Sequence, residues 1–377
     1  MIWEKHAAEL ADRVAGRGSR WHEPVARTPR HVFVPAWWEP EDGQWALRRP
    51  TSDLGWYTAA YGDRSLITRV GPLHADAADH HDRPMGRPTS SATLPSLTVQ
   101  MLRHARINDG DTLLDVGTGS GYGTALACRR LGDTAVTSVD VDLYLVDAAR
   151  QRLASIGLAP RLAAVDATGP LPATEGQFDR IMATVSVRSV PSAWLTALRV
   201  GGRLVTTIAG TSLILTAERQ EDGGAVGRIA WDRAGFMQAR TGDDYPPEVI
   251  EVLAAAHYAE GDEVTTSPYP VLDVGQAWDV DSMLGVLAPG VEHSYEETGD
   301  RRTAVLAHAD GSWARATGTG TEPPIVHQAG PRRLWSILDE IRSHWLQHGE
   351  LPVRGARVRI LPDGRTRLSR GGWHKQL

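Results

Sequence analysis

At 377 residues, 41% of them hydrophobic, the chain is long enough for two domains or for one with extensions. A net charge of −6 with a pI near 6.2 argues against a nucleic-acid-binding role. The single cysteine, Cys128, rules out an intramolecular disulfide or a cysteine-based zinc cluster. No apolar run reaches membrane-spanning length, and Met1-Ile2-Trp3-Glu4-Lys5 lacks the form of a signal peptide, so a soluble cytoplasmic protein with no membrane or nucleic-acid partner is expected. Lys5 and Lys375 are the only lysines; arginine carries nearly all the positive charge, which reads as compositional bias.

Trp3, Ala7, Leu10 and Val14 recur at helical spacing and predict an opening amphipathic helix that stops near Gly16-Arg17-Gly18. Pro29-Arg30-His31-Val32-Phe33-Val34-Pro35 reads as a short extended segment pinned by two prolines. Residues 36–90 show no clear periodicity and read as a loop or lid on the substrate side. His74, Asp76, Asp79, His80, His81 and Asp82 lie there, but their spacing matches no metal motif, so no metal is expected. Ser90-Ser91-Ala92-Thr93-Leu94-Pro95 is a hydroxyl-rich turn leading into a helix that buries Leu97, Met101 and Leu102 and ends at Asp109-Gly110. Each hydroxyl there could be a helix cap or could face a ligand.

From Thr112 onward strands alternate with helices, which calls for a parallel sheet covered on both faces. Strands are predicted at 112–116, 135–139, 162–165, 178–184 and 203–208, with helices at 122–131, 142–156 and 192–198. The first strand runs into Asp115-Val116-Gly117-Thr118-Gly119-Ser120-Gly121-Tyr122. Glycines at alternate positions let backbone approach a ligand closely, and the following helix offers unpaired N–H groups to an anion. The spacing misses the dinucleotide fingerprint G-x-G-x-x-G, and no Gly-Lys-Ser/Thr follows for a phosphate loop. Asp140 and Asp166 end the second and third strands at one edge of the sheet, where an acid can accept hydrogen bonds from ribose hydroxyls. Either alone could be an ordinary helix cap. Cys128 falls within a helix as a small buried residue.

The D-x-G-x-G-x-G run resembles motif I of class I S-adenosylmethionine (SAM) methyltransferases. The 29–35 segment, the 91–95 turn, Phe178-Asp179-Arg180-Ile181 and Leu198-Arg199-Val200-Gly201-Gly202-Arg203-Leu204-Val205 fall in order with it and resemble the protein-L-isoaspartate O-methyltransferase family over roughly residues 25 to 210. Two departures stand out. Thr93 occupies the position of a family serine, and about 165 residues follow Gly210. The long tail resembles the branch that tailors ribosomally made lanthipeptide, lasso and graspetide precursors.

The resemblance implies an α/β, Rossmann-like three-layer fold with a C-terminal α+β extension. The divisions expected are 1–90 (helix and substrate-side loop), 91–212 (SAM-binding core) and 213–377 (extension recognising peptide). It implies SAM as cofactor, held by Asp115, Gly117, Thr118, Gly119, Ser120, Gly121, Asp140, Val141, Asp166 and Ala167. Asp115 would serve the ligand's amino group or hold the loop. An aspartate carboxylate is already ionised near neutral pH and needs no general base, so neutral hydroxyls suffice to orient it. Ser90, Ser91 and Thr93, with Thr184 and Ser186 behind them, are the expected donors. The activity implied is esterification of an aspartate in a modified precursor peptide, leading to aspartimide and possibly isoaspartate, by a monomer or weak homodimer. The competing readings are isoaspartate repair, another methyl acceptor, and a SAM-fold binding module without catalysis. In the tail, Leu334, Leu338, Ile341 and Trp345 predict a helix over 331–348 stopped by Gly349, and the arginine-alternating 358–368 stretch predicts a hairpin. Trp231, Trp278, Trp313, Trp335, Trp345 and Trp373 read mostly as core, with one or two free to line a peptide groove.

Overall fold

Ten strands form one sheet in the computed structural model, which describes residues 2–50, 52–242, 245 and 249–377. In chain order they are β1 (Leu113–Val116), β2 (Val136–Asp140), β3 (Arg161–Ala164), β4 (Phe178–Val187) and β5 (Leu198–Ile208), then β6 (Leu213–Arg219), β7 (Ala225–Arg233), β8 (Arg357–Ile360), β9 (Thr366–Arg370) and β10 (Trp373–Gln376). Their spatial order is β3-β2-β1-β4-β5-β6-β7-β8-β9-β10. The first five are parallel and the remainder antiparallel.

Alternation along the strands explains why both faces are covered. Ile181, Leu204 and Leu215 enter one apolar core while their neighbours Met182, Val205 and Ile214 enter the other. Helices Tyr122–Leu131, Leu143–Ser155, Pro95–His104 and Ser192–Ala197 flank the parallel half. Strand order reverses between β1 and β4, which opens a crevice outside their carboxyl ends. This is the class I methyltransferase fold.

Three expectations need correction. Residues 36–90 are not a loop: Trp37–Glu41, Gln44–Arg48, Leu66–Val70, Leu73–His74 and Pro88–Ala92 form an antiparallel sheet, with a helix at Asp53–Ala60. Trp38, Leu47 and Val70 give that sheet a core of its own. Its first hairpin turns at Asp42-Gly43, both with positive φ (50° and 76°), the pairing that suits a type I′ turn. The 29–35 segment is not extended either, since Arg30–Phe33 make one turn of 3-10 helix.

The divisions at 90 and 212 also fall inside continuous structure. Residue 90 lies in the strand Pro88–Ala92, and β5 pairs with β6 from Arg203↔Glu218 to Thr207↔Ile214. The tail is therefore no separate unit, because β6–β10 complete the edge that β5 would otherwise leave open. Only Glu263–Thr266, Glu292–Thr298, Arg301–Ala307, Trp313–Thr319 and Ile325–Ala329 form a sheet apart. The helix Leu334–His348 ends at Gly349 (φ 74°), and the β8–β9 hairpin follows as the pattern predicts. No helix among the described residues is long and apolar enough to cross a membrane.

Candidate active site

The crevice at the β1/β4 switch is a cavity of about 300 Å³ with two chemically different walls. The first wall comes from residues close together in sequence. β1 is buried throughout and delivers Asp115 to the floor. The backbone then turns so that Gly117 and Thr118 both donate to the Val139 carbonyl, at 2.8 and 3.2 Å. A Cβ on Gly117 (φ 96°) would lie 3.0 Å from Thr184 Oγ1 and Val185 Cγ1. One on Gly121 would meet Ala149 and Phe33. These two glycines are thus required by packing against protein, whereas a Cβ on Gly119 would meet only the Ser91 and Gly117 carbonyl oxygens, at 3.6 and 3.9 Å. Gly121 does not line the cavity.

Hydroxyls tie the wall together. Thr124 and Ser138 donate to Asp115 Oδ2 at 2.7 and 2.9 Å, and Thr118 Oγ1 lies 2.7 Å from Ser138 Oγ. Burial pushes the Asp115 carboxyl up to about 6 despite those donors. Asp140 is half-buried, and desolvation raises its carboxyl although Gly119 N–H (2.9 Å) donates to Oδ2 and Asp142 N–H (3.1 Å) to Oδ1. One donor on each oxygen leaves lone pairs of this carboxylate open to two ribose hydroxyls. Val141, Leu145, Val165 and Ala167 supply an apolar slot beside it, with the Ala167 carbonyl held by Trp194 Nε1 at 2.7 Å. The residues present fit SAM: Asp140 would take the ribose hydroxyls, the slot the adenine, and Asp115 would lie toward the cationic end. Ser120 lines the same wall. Asp166 stands at its rim with Oδ1 accepting from Thr168 N–H and Oγ1, and it is Val165 and Ala167 that line the cavity there.

The second wall is assembled from distant segments. Ser90, Ser91 and Thr93 all line it. Ser90 Oγ accepts from Thr68 Oγ1 at 3.0 Å, while the Ser91 and Thr93 hydroxyls have no partner among the described residues. Thr184 lines the cleft, but its hydroxyl donates to the Gly117 carbonyl at 3.0 Å. Ser186 does not line it. Its N–H donates to the Met237 carbonyl (2.9 Å) and its carbonyl accepts from Ala239 N–H (2.8 Å), which clamps 236–239 over the site.

Phe236, Met237, Gln238, Arg240 and Tyr245 complete this wall, and nothing in the local sequence marks them. Arg30 was equally invisible as an individual residue. Fully buried, it donates to the carbonyls of Ala60, Gly62, Arg64, Ala92 and Thr93, and so anchors the 90–95 turn. Burial lowers its guanidinium to about 10. An arginine set between Pro29 and the apolar Val32-Phe33-Val34 is the signal that could have found it.

The histidine-rich stretch ties the small sheet to the cofactor wall. His74 Nε2 (3.2 Å) and Arg69 Nε (3.4 Å) reach Asp142, and Arg240 reaches it from the other side at 3.5 Å. Burial alone would raise Asp142, but the hydrogen bond and charge of His74, with Arg69, hold it down to about 2. Asp76 pairs with Arg152 and accepts from Tyr144 Oη at 3.1 Å. Among the described residues no three potential ligands are grouped to hold a metal ion. Cys128 is buried, and burial pushes its thiol up, away from the range of a nucleophile.

Comparison with known proteins converges on one chemistry. Residues 75–232 match the family model of protein-L-isoaspartate(D-aspartate) O-methyltransferase. A protein-L-isoaspartate O-methyltransferase of Leptothrix cholodnii is 31% identical over 252 residues, 64% of this chain and 75% of that protein. One from Rhodopseudomonas palustris is 30% identical over 156 residues, 41% of this chain and 71% of its own length. A solved protein-L-isoaspartate O-methyltransferase superposes with a TM-score of 0.52 at 16% identity, covering 97% of this chain and 99% of its own. That likeness of fold extends through the C-terminal half.

Proposed function

This chain belongs to the protein-L-isoaspartate O-methyltransferase family, and from that premise we propose that it esterifies a side-chain aspartate in a ribosomally made, modified precursor peptide. That it is a SAM-dependent carboxyl methyltransferase follows from the family; the choice of acceptor is our reading. When bound, SAM supplies a methyl group carried on a cationic sulfur. The protein's part is to hold the acceptor in line and keep water out. Ser91 and Thr93 offer neutral O–H donors that orient a carboxylate without withdrawing its charge.

One observation carries the carboxylate reading. Among the described residues lining the cleft there is no histidine, lysine or cysteine, and the Asp115 carboxylate already accepts from Thr124 and Ser138, which suits an acceptor that arrives ionised. Among the described residues the one cationic side chain there, Arg240, is engaged with Asp142. Ser91 and Thr93 would hold an ionised aspartate oxygen toward that methyl group, which SAM would give up as its sulfur leaves as a neutral thioether. The next residue's backbone nitrogen then attacks the ester carbonyl, loses its proton and expels methanol, closing a five-membered imide. Water can open that ring to isoaspartate.

The tailoring reading rests on the resemblance of the long tail after Gly210 to that branch, with Thr93 as a second departure from the repair enzymes. Repair of isoaspartate is the second reading, favoured by the solved family member that covers 97% of this chain, since a tail of this length is then no mark of tailoring. The two separate on substrate. The proposal expects methylation, then loss of methanol, of the crosslinked precursor, with little turnover of a short isoaspartyl peptide. Brisk turnover of the short peptide would assign repair instead.

A further inference from the structure

The antiparallel half of the sheet presents a second surface of marked chemistry. Val358, Ile360 and Leu368 are buried, so Arg357, Arg359 and Arg367, which alternate with them, share the opposite, outward face. The register sets Arg228 directly opposite Arg357 and Arg359 directly opposite Arg367. Like charges at directly opposed positions destabilise a sheet. Arg106 and Arg203 border the same groove, whose volume is about 530 Å³. Glu218 pairs with Arg203 and Asp222 with Arg359. Arg106, Arg228, Arg357 and Arg367 are exposed and have no acidic partner among the described residues. In a chain of net charge −6, this is a local concentration of positive charge that works against the fold unless an anion lies across it.

We propose that this groove docks an acidic, extended segment of the polypeptide substrate, a reading that rests on the acceptor being a peptide. Arg357 and Arg359 are two residues apart on one strand, and alternate side chains of an extended peptide repeat at the same spacing, about 6.7 Å. Carboxylates at every second position therefore meet the guanidinium rows in register, where paired N–H groups bind them bidentately. Among the described residues no aromatic side chain lines the groove to stack a base, which disfavours single-stranded nucleic acid. Arg203 pairs with Arg180 near the start of β4, whereas methyl transfer takes place outside the carboxyl ends of the parallel strands, so docking here leaves the cleft free. A segment held at this groove raises the local concentration of the reacting aspartate.

Fluorescence anisotropy with a labelled peptide carrying glutamate at alternate positions tests this directly, with the glutamine counterpart and labelled oligothymidylate as comparisons. The parent protein should bind the glutamate peptide in low salt, weaken as salt rises, and ignore the glutamine peptide. Arg228→Gln with Arg357→Gln should weaken binding at least tenfold, leave SAM affinity unchanged by calorimetry, and leave thermal stability equal or higher because the facing charges are gone. Equal binding by the double variant, or tighter binding of oligothymidylate than of the acidic peptide by the parent, would overturn the proposal. Binding is read without methyl transfer, so this idea and the acceptor assignment fail separately.

Discussion

The two walls of the cleft solve different problems. On the cofactor wall the polar groups already hold one another: Thr118, Ser138, Asp115 and Thr124 form one chain of hydrogen bonds, and Gly119 is fastened to Asp140. On the acceptor wall Ser91 and Thr93 keep their hydroxyls open, and rigidity comes from behind, through Arg30 and the Ser186 clamp. A wall satisfied internally is preorganised for one unchanging ligand. A wall with open donors on a fixed backbone can accept carboxylates presented by different chains.

If that contrast is right, the largest effect belongs to the cofactor turn. Gly117→Ala puts a methyl group against Thr184 and Val185 at a positive φ, costing about 1–3 kcal/mol of stability. Thermal denaturation should show the loss, and calorimetry should show SAM binding abolished. Asp140→Ala should weaken SAM by about 1–3 kcal/mol, the scale of lost hydrogen bonds to a charged group; unchanged affinity would remove Asp140 from the site.

Proton linkage sharpens the same wall. Asp115 has its folded value raised from 3.8 to about 6, so its contribution to stability is present below 3.8 and is lost as pH rises through about 6. A cationic cofactor prefers the ionised form, with the opposite trend. SAM affinity should be level above neutral pH and fall by up to about tenfold per unit below 6. A flat profile would place the cofactor's positive charge away from Asp115.

On the acceptor wall, Thr93→Ala should slow turnover about tenfold while sparing SAM affinity, and Thr93→Ser should restore it. Loss of SAM affinity instead would mean that the walls are not independent. The smallest change is expected for Asp166→Ala, about 0.5–1 kcal/mol in SAM affinity, because Oδ1 is already engaged by Thr168 and the residue is only half-buried.

The contrast also governs what could be read from the sequence. Most of the cofactor wall lies between Asp115 and Leu145, with Val165 and Ala167 at the next strand's end, so glycine spacing and strand-end acids expose it to inspection. The acceptor wall brings 65–93 together with 235–240 and Tyr245, of which 237–239 are held by backbone bonds to Ser186, and such pairing leaves no local trace. The small sheet is hidden for another reason. Its Asp42-Gly43 turn is a legible hairpin signal, but Trp37-Trp38 and Pro40 break the alternation around it. The tail misled because continuity of β5 with β6 depends on register rather than composition.

A crystal structure with S-adenosylhomocysteine tests the central claim most directly. The account predicts this demethylated cofactor over Gly117–Gly121, its ribose hydroxyls on Asp140 and its sulfur facing Ser91 and Thr93. Finding the product elsewhere, or that crevice empty in crystals grown with it in excess, would contradict the account.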